Sequence, residues 1–334
     1  MQGVWLTNTD SKLLHSRQNL EAGLRQLQQL GFDTIYPVVW QRGYTLYPSL
    51  IAEKYTGHLT LPQPEYSSRD YLAELLEIAH ELGLRVIVWW EYGLMLPPNC
   101  ELVKRYPNYL TLTNTGDQLR RKTASGQLDQ SVWLNPSDPR VIEMIGELIT
   151  DLVTRYPIDG IQFDDHWGWP VELGFEPATQ AAYRKSATGI WPFGQQPAWA
   201  DWAGDRLTDS FQQIVGQIKA TKPDCLVSVS PNPLKFSIDN YRMNWQHWYE
   251  LGLIDELVLQ VYRYNLPAFQ AELKKPELQP LKQQLAIGIL TGLKGKKQPP
   301  ELVKQQIAAV QSAGFKGSVY FFYETVLESS EIFQ

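Results

Sequence analysis

The chain has 334 residues, 43% hydrophobic and 20% charged, so it can bury a large core and does not have the composition of a disordered polymer. A formal net charge of −6 argues against nucleic acid as a partner, because phosphate binding needs a clustered excess of Lys and Arg. No apolar run approaches the roughly 18 residues that span a bilayer, so no membrane span is expected.

Short β-rich runs alternate with amphipathic stretches from the start, the pattern of a parallel sheet covered by helices. The first strand, 3–7, follows the N-terminus with no basic and apolar leader. A cytoplasmic protein is expected, or a periplasmic or secreted one if a leader has been removed. A helical stretch over 17–30 precedes strand 33–40, and 69–82 precedes strand 84–91. Ser137, Asp138 and Pro139 start a helix over 139–155 that leads to strand 158–165. Helix 199–221 leads to strand 225–230, 242–251 to 256–262, 268–274 to 284–290, and 300–313 to 318–323. Gly31, Gly83 and Gly314 each stand where a left-handed C-cap would stop a helix before the next strand. Eight such units predict an α/β protein, a (β/α)8 TIM barrel, as one domain over 1–334. No Gly-x-Gly-x-x-Gly follows the first strand, so a dinucleotide fold has no support. Cys100 and Cys225 read as two unpaired thiols.

The connections after strands two, three and four are long, about 41–68, 92–137 and 166–198. In a barrel all three rise from the face where strands end, which carries active sites. Residues 109–132 have room for a small hairpin turning at Asn114-Thr115-Gly116-Asp117. Twelve Trp and seventeen Tyr are many for this length, and aromatic faces stack on sugar rings. Trp40, Trp90, Trp167 and Trp169 end or follow strands on the active face and are expected to line a groove there.

Alternate strand residues point into a barrel. On the fourth strand Ile161 and Phe163 would face the helices, and Gln162, Asp164 and His166 the axis. Ser228, Ser230 and Asn232 on the fifth, and Gln260 and Tyr262 on the sixth, would also point inward. Buried polar groups cost energy unless partnered, so such a cluster suggests a site. Carboxylates stand only at the ends of the third strand (Glu91), the fourth (Asp164, Asp165) and the eighth (Glu324); Asp159 and Asp255 begin strands and would cap backbone. Glycosidic hydrolysis needs an acid for the leaving oxygen and a second carboxylate as nucleophile or base. The candidate catalytic residues are therefore Asp164, Asp165, Glu91 and Glu324, although Glu324 would equally suit the first turn of a final helix. Gln162, His166, Asn232, Gln260 and Tyr262 join the tryptophans as candidate substrate-binding residues. No cofactor is called for, and the expected partner is a carbohydrate.

Several segments resemble those of the bacterial glycosyl-hydrolase-like barrels: Gly3-Val4-Trp5-Leu6, residues 36–40 with Leu46-Tyr47-Pro48-Ser49, Asn135-Pro136, Asp159-Gly160-Ile161-x-Phe163-Asp164-Asp165, Gln260-Val261-Tyr262, and Val319-Tyr320-Phe321-Phe322. The resemblance covers nearly the whole chain in order. It implies a barrel acting on a bacterial glycan, peptidoglycan strands included, with the paired aspartates matching the family's motif. A weaker likeness, to the family 18 chitinase strand Asp-Gly-x-Asp-x-Asp-x-Glu, fails at its acid, because His166 stands in place of the Glu. Two other readings stay open. A non-catalytic sugar-binding barrel would keep the aromatic residues without the chemistry. A metal-dependent hydrolase would want inward His residues, and the five present (His15, His58, His80, His166, His247) make no His-x-His or His-Glu-x-x-His. The basic run Lys294-Gly295-Lys296-Lys297 reads as a solvated loop.

Overall fold

Eight parallel strands close into a barrel: β1 (Gln2–Leu6), β2 (Thr34–Pro37), β3 (Arg85–Trp90), β4 (Gly160–Asp164), β5 (Leu226–Ser230), β6 (Glu256–Gln260), β7 (Leu285–Leu290) and β8 (Gly317–Phe321). Each pairs with the next, and β8 closes on β1 through Val4 and Tyr320. The computed structural model describes residues 1–118, 131–186, 197–293 and 295–333. The predicted (β/α)8 barrel is thus the fold, and the long connections after β2, β3 and β4 rise together from its C-terminal face.

The covering helices include α1 (Arg17–Gln29), α2 (Tyr71–Glu81), α3 (Pro139–Arg155), α4 (Pro197–Thr221), α5 (Leu234–Tyr241), α6 (Trp245–Glu250), α7 (Leu266–Leu273) and α8 (Pro300–Ala313). Their starts are set by side chains that accept from orphan backbone N–H groups: Ser16 from Asn19, Asp70 from Ala73 and Asp138 from Arg140. Among the described residues no helix is long and apolar enough to cross a membrane. Cys100 and Cys225 are buried and free.

Two boundaries differ from expectation by more than two residues. The helix expected over 242–251 is confined to α6, and a further helix, α5, stands before it, because Arg242 adopts a left-handed backbone at φ 53° and breaks the chain between the two. Its buried guanidinium donates to the carbonyls of Trp169, Pro170, Val171 and Leu173, which binds the loop after β4 to this break. The second strand is shorter than 33–40. Past Pro37 only a bridge between Val38 and Trp89 continues the pairing, and Trp40–Gln41 folds back antiparallel on Tyr44–Thr45. Arg42 (φ 54°) and Gly43 (φ 82°) make the two-residue turn, of type I′ since both φ angles are positive. A left-handed Arg costs roughly 1–2 kcal/mol. The turn expected at 114–117 is present, with Thr113 N donating to Asp117 O at 2.9 Å, while residues 119–130 lie outside the described residues.

At the N-terminal mouth Asp159 and Asp255 cap backbone as expected, accepting from Val86 N and Val227 N. The barrel interior is polar along one line. Glu256 accepts from Tyr36 Oη (2.8 Å) and Ser228 Oγ (3.2 Å) and pairs with Arg85 and Lys316. Ser228 Oγ accepts from Gln162 Nε2 at 3.0 Å, and Gln162 Oε1 accepts from Trp5 Nε1 at 2.7 Å. Trp5, Trp89 and Phe321 pack beside this line with ring centroids 6.2–6.4 Å apart. This floor fills the barrel below the C-terminal ends of the strands.

Candidate active site

The alternation on β4 brings Asp164 to the axis at the last strand position, where it is 4% exposed. Its Oδ1 accepts from Asp165 N (2.8 Å), Ser230 Oγ (3.2 Å) and Gln260 Nε2 (2.6 Å). Burial, then the negative charge of Asp165, push its carboxyl well above the usual range. Asp165, past the strand end and half-buried, accepts from Asn232 Nδ2. His166 stands with Nδ1 3.1 Å from the Glu91 carbonyl, 3.9 Å from Asp164 Oδ2 and 3.7 Å from Asp165 Oδ1.

Glu91, one residue past β3, is half-buried, and the protein around it raises its carboxyl to about 7, mainly by desolvation. Gln41 opposes that shift by donating to Glu91 Oε2 at 2.9 Å, and the same amide donates to Thr9 Oγ1 at 3.1 Å. Tyr262 lies close enough for Asp164 and Asp165 to reinforce what burial does, raising its phenol well above its usual range. The loops that carry these groups are locked together. Gly93 (φ 49°) lies so close to His166 that a Cβ there would come within 2.4 Å of the His166 backbone, and Leu94 N donates to His166 O. Buried Glu176 accepts from Thr111 Oγ1, Leu112 N and Asn135 Nδ2, tying the loop after β3 to that after β4.

The structure thus gathers Asp164, Asp165, Glu91, His166, Asn232, Gln260 and Tyr262. Glu324 stands elsewhere. It occupies the first turn of α9 (Tyr323–Leu327), in a separate cavity of about 470 Å³ lined also by Asn8, Ser11 and Lys12, and its carboxyl is raised to about 6, chiefly by burial. Gln162 lies in the floor with its amide committed to Trp5 and Ser228.

The tryptophan expectation is corrected. Trp40, Trp90, Trp167 and Trp169 are all 0% exposed and offer no face to a sugar. Trp40 and Trp90 stack on each other at 4.8 Å, Trp167 packs on Phe163 and Phe211, and Trp169 meets Trp199 and the Arg242 guanidinium. The long loops fold over these rings and use them as their own core.

Adjacent residues on a strand point apart, yet Asp164, Asp165 and His166 converge. One donor atom from each lies within 4.8 Å of the others, because the strand ends at Asp164 and the chain turns. The set could face a cation, but the contact to the Glu91 carbonyl calls for a proton on His166 Nδ1, and Gln260 and Asn232 already donate to the two aspartates. Hydrogen bonding therefore uses much of the donor capacity a metal would need. Sequence reasoning missed Gln41 and Arg42, whose signal was the Arg42-Gly43 pair between two short aromatic runs. Lys294 of the basic run lies outside the described residues; Lys297 pairs with Glu328 at 3.1 Å.

A (β/α)8 barrel with carboxyl groups converging where β4 ends has the architecture of a glycoside-hydrolase-like protein. The chain belongs to the glycosyl hydrolase-like 10 family, whose model matches residues 1–309. It is 26% identical over 338 residues to the glycosyl hydrolase DigH of Escherichia coli (strain K12), covering 86% of this chain and 72% of that protein. It is 22% identical over 275 residues to the glycosyl hydrolase YngK of Bacillus subtilis (strain 168), covering 77% of this chain and 51% of that one. The glycoside hydrolase domain of PgaB (BpsB) from Bordetella bronchiseptica shares the fold, with a TM-score of 0.72 at 16% identity over 99% of this chain and 96% of that domain. The α-L-fucosidase isoenzyme 2 of Paenibacillus thiaminolyticus shares it with a TM-score of 0.68 at 15% identity, over 99% of this chain and 48% of that one.

Proposed function

We propose that this protein hydrolyses glycosidic bonds of a bacterial glycan, with peptidoglycan glycan strands as its substrate, by carboxylate acid/base chemistry centred on Asp164. The observation that carries the reading is the setting of Asp164. Its Oδ1 is saturated by three donors, and its carboxyl is raised by burial and by Asp165. A carboxyl that keeps its proton to higher pH is what a general acid requires. Asp165 or Glu91 is then the second carboxylate. Asn232 orients Asp165, and Tyr262 is placed to meet the sugar.

The test is hydrolysis of peptide-free peptidoglycan strands. Asp164→Asn keeps the shape, removes the proton and is expected to slow turnover by about 10²–10⁴-fold. Wild-type turnover in Asp164→Asn, with loss in Glu324→Gln, would place the chemistry at β8 instead. Binding without cleavage of any bacterial glycan, unaffected by Asp164→Asn, would make this a carbohydrate-binding barrel.

A further inference from the structure

We infer that Arg42 forms a subsite for a carboxylate-bearing sugar next to the acidic cluster, which makes it a specificity-determining residue; this rests on the reading above. Three features of its hairpin converge. First, its backbone is left-handed at the first turn position, where type I′ turns favour Asn, Asp or Gly, so a residue poorly suited to the turn is held there. Second, the hairpin is packed against the residues that carry the acidic cluster. Gln41, its neighbour, donates to Glu91, Trp40 is stacked on Trp90, and a Cβ on Gly43 would come within 3.0 Å of Cys100 Sγ. Third, Arg42 is exposed and makes no ion pair or hydrogen bond among the described residues, while its charge bears on the Glu91 carboxyl.

An anionic sugar approaching the acidic cluster meets like charge from Asp165, and from Glu91 once it is ionised. An unpaired guanidinium on this hairpin offsets that repulsion and offers a planar, two-pronged match to a carboxylate. A neutral glycan gains nothing from it.

The experiment compares binding of two probes: peptide-free peptidoglycan strands, and the same strands after their carboxyl groups are reduced to alcohols. It uses the Asp164→Asn protein, so that substrate is not consumed, alone and with Arg42→Asn or Arg42→Lys. Arg42→Asn is expected to lower the preference for unreduced strands by about tenfold, while Arg42→Lys keeps it within about threefold. Arg42→Asn is also expected to raise Tm by about 2 °C, because Asn suits the turn. An unchanged preference in Arg42→Asn, or a fall in its Tm, would overturn the inference. If wild type cleaves no strand while the binding preference depends on Arg42, the hydrolase reading fails and the subsite stands.

Discussion

Gln260 on β6 reaches past β5 to donate from Nε2 to Asp164 Oδ1 on β4 at 2.6 Å, and the same nitrogen meets the Ser230 carbonyl of β5 at 2.7 Å. One amide thus spans three adjacent strands and fixes the orientation of the buried carboxyl. A donor to an acidic oxygen favours its ionised form, so Gln260 opposes the upward push of burial.

Replacing Gln260 with Leu should therefore raise the Asp164 carboxyl further. If Asp164 is the general acid, the alkaline limb of the kcat profile should move up by about one pH unit, as loss of a hydrogen bond to a charged group implies. A limb that stays in place, or moves down, would mean that Asp164 does not set it.

Glu91 provides a second pH test. With its carboxyl raised to about 7, a role as base or nucleophile requires the rate to fall as pH drops through that value. Glu91→Gln should then abolish activity; if it leaves both activity and the acidic limb, Asp165 is the partner. Stability runs the other way. The folded state holds the proton more tightly than the unfolded chain, so this group lowers stability as pH rises from the usual carboxylate range through about 7. Melting curves of Glu91→Gln should show a flatter pH dependence there than those of wild type.

At the opposite end of the barrel, Glu256 is 1% exposed and holds Arg85 at 3.0 Å and Lys316 at 3.2 Å. Glu256→Ala removes the acceptor shared by Tyr36, Ser228 and two partly exposed cations, and should cost about 1–3 kcal/mol in urea unfolding. Turnover per folded molecule should change less than twofold, since Glu256 contacts the floor and not the acidic cluster. A large change in kcat with unchanged stability would contradict that division.

Local rules made the barrel and the acidic strand end legible. Helix starts such as Ser16 and Asp138 depend on residues two or three apart, and alternation along β4 sends Asp164 inward whichever strands flank it. The capping roles of Asp159 and Asp255 follow from the same position at a strand's start. The sequence by itself therefore determined the fold class, the face on which the acidic cluster stands and the inward place of Asp164 within it. The tertiary structure alone decided what surrounds Asp164. Burial of Trp40, Trp90, Trp167 and Trp169 depends on long loops packing over them, and Glu324 is drawn away by residues of the loop after β1. Gln41 meets Glu91 across fifty residues because a two-residue turn folds the chain back, and no periodicity in either segment encodes that contact.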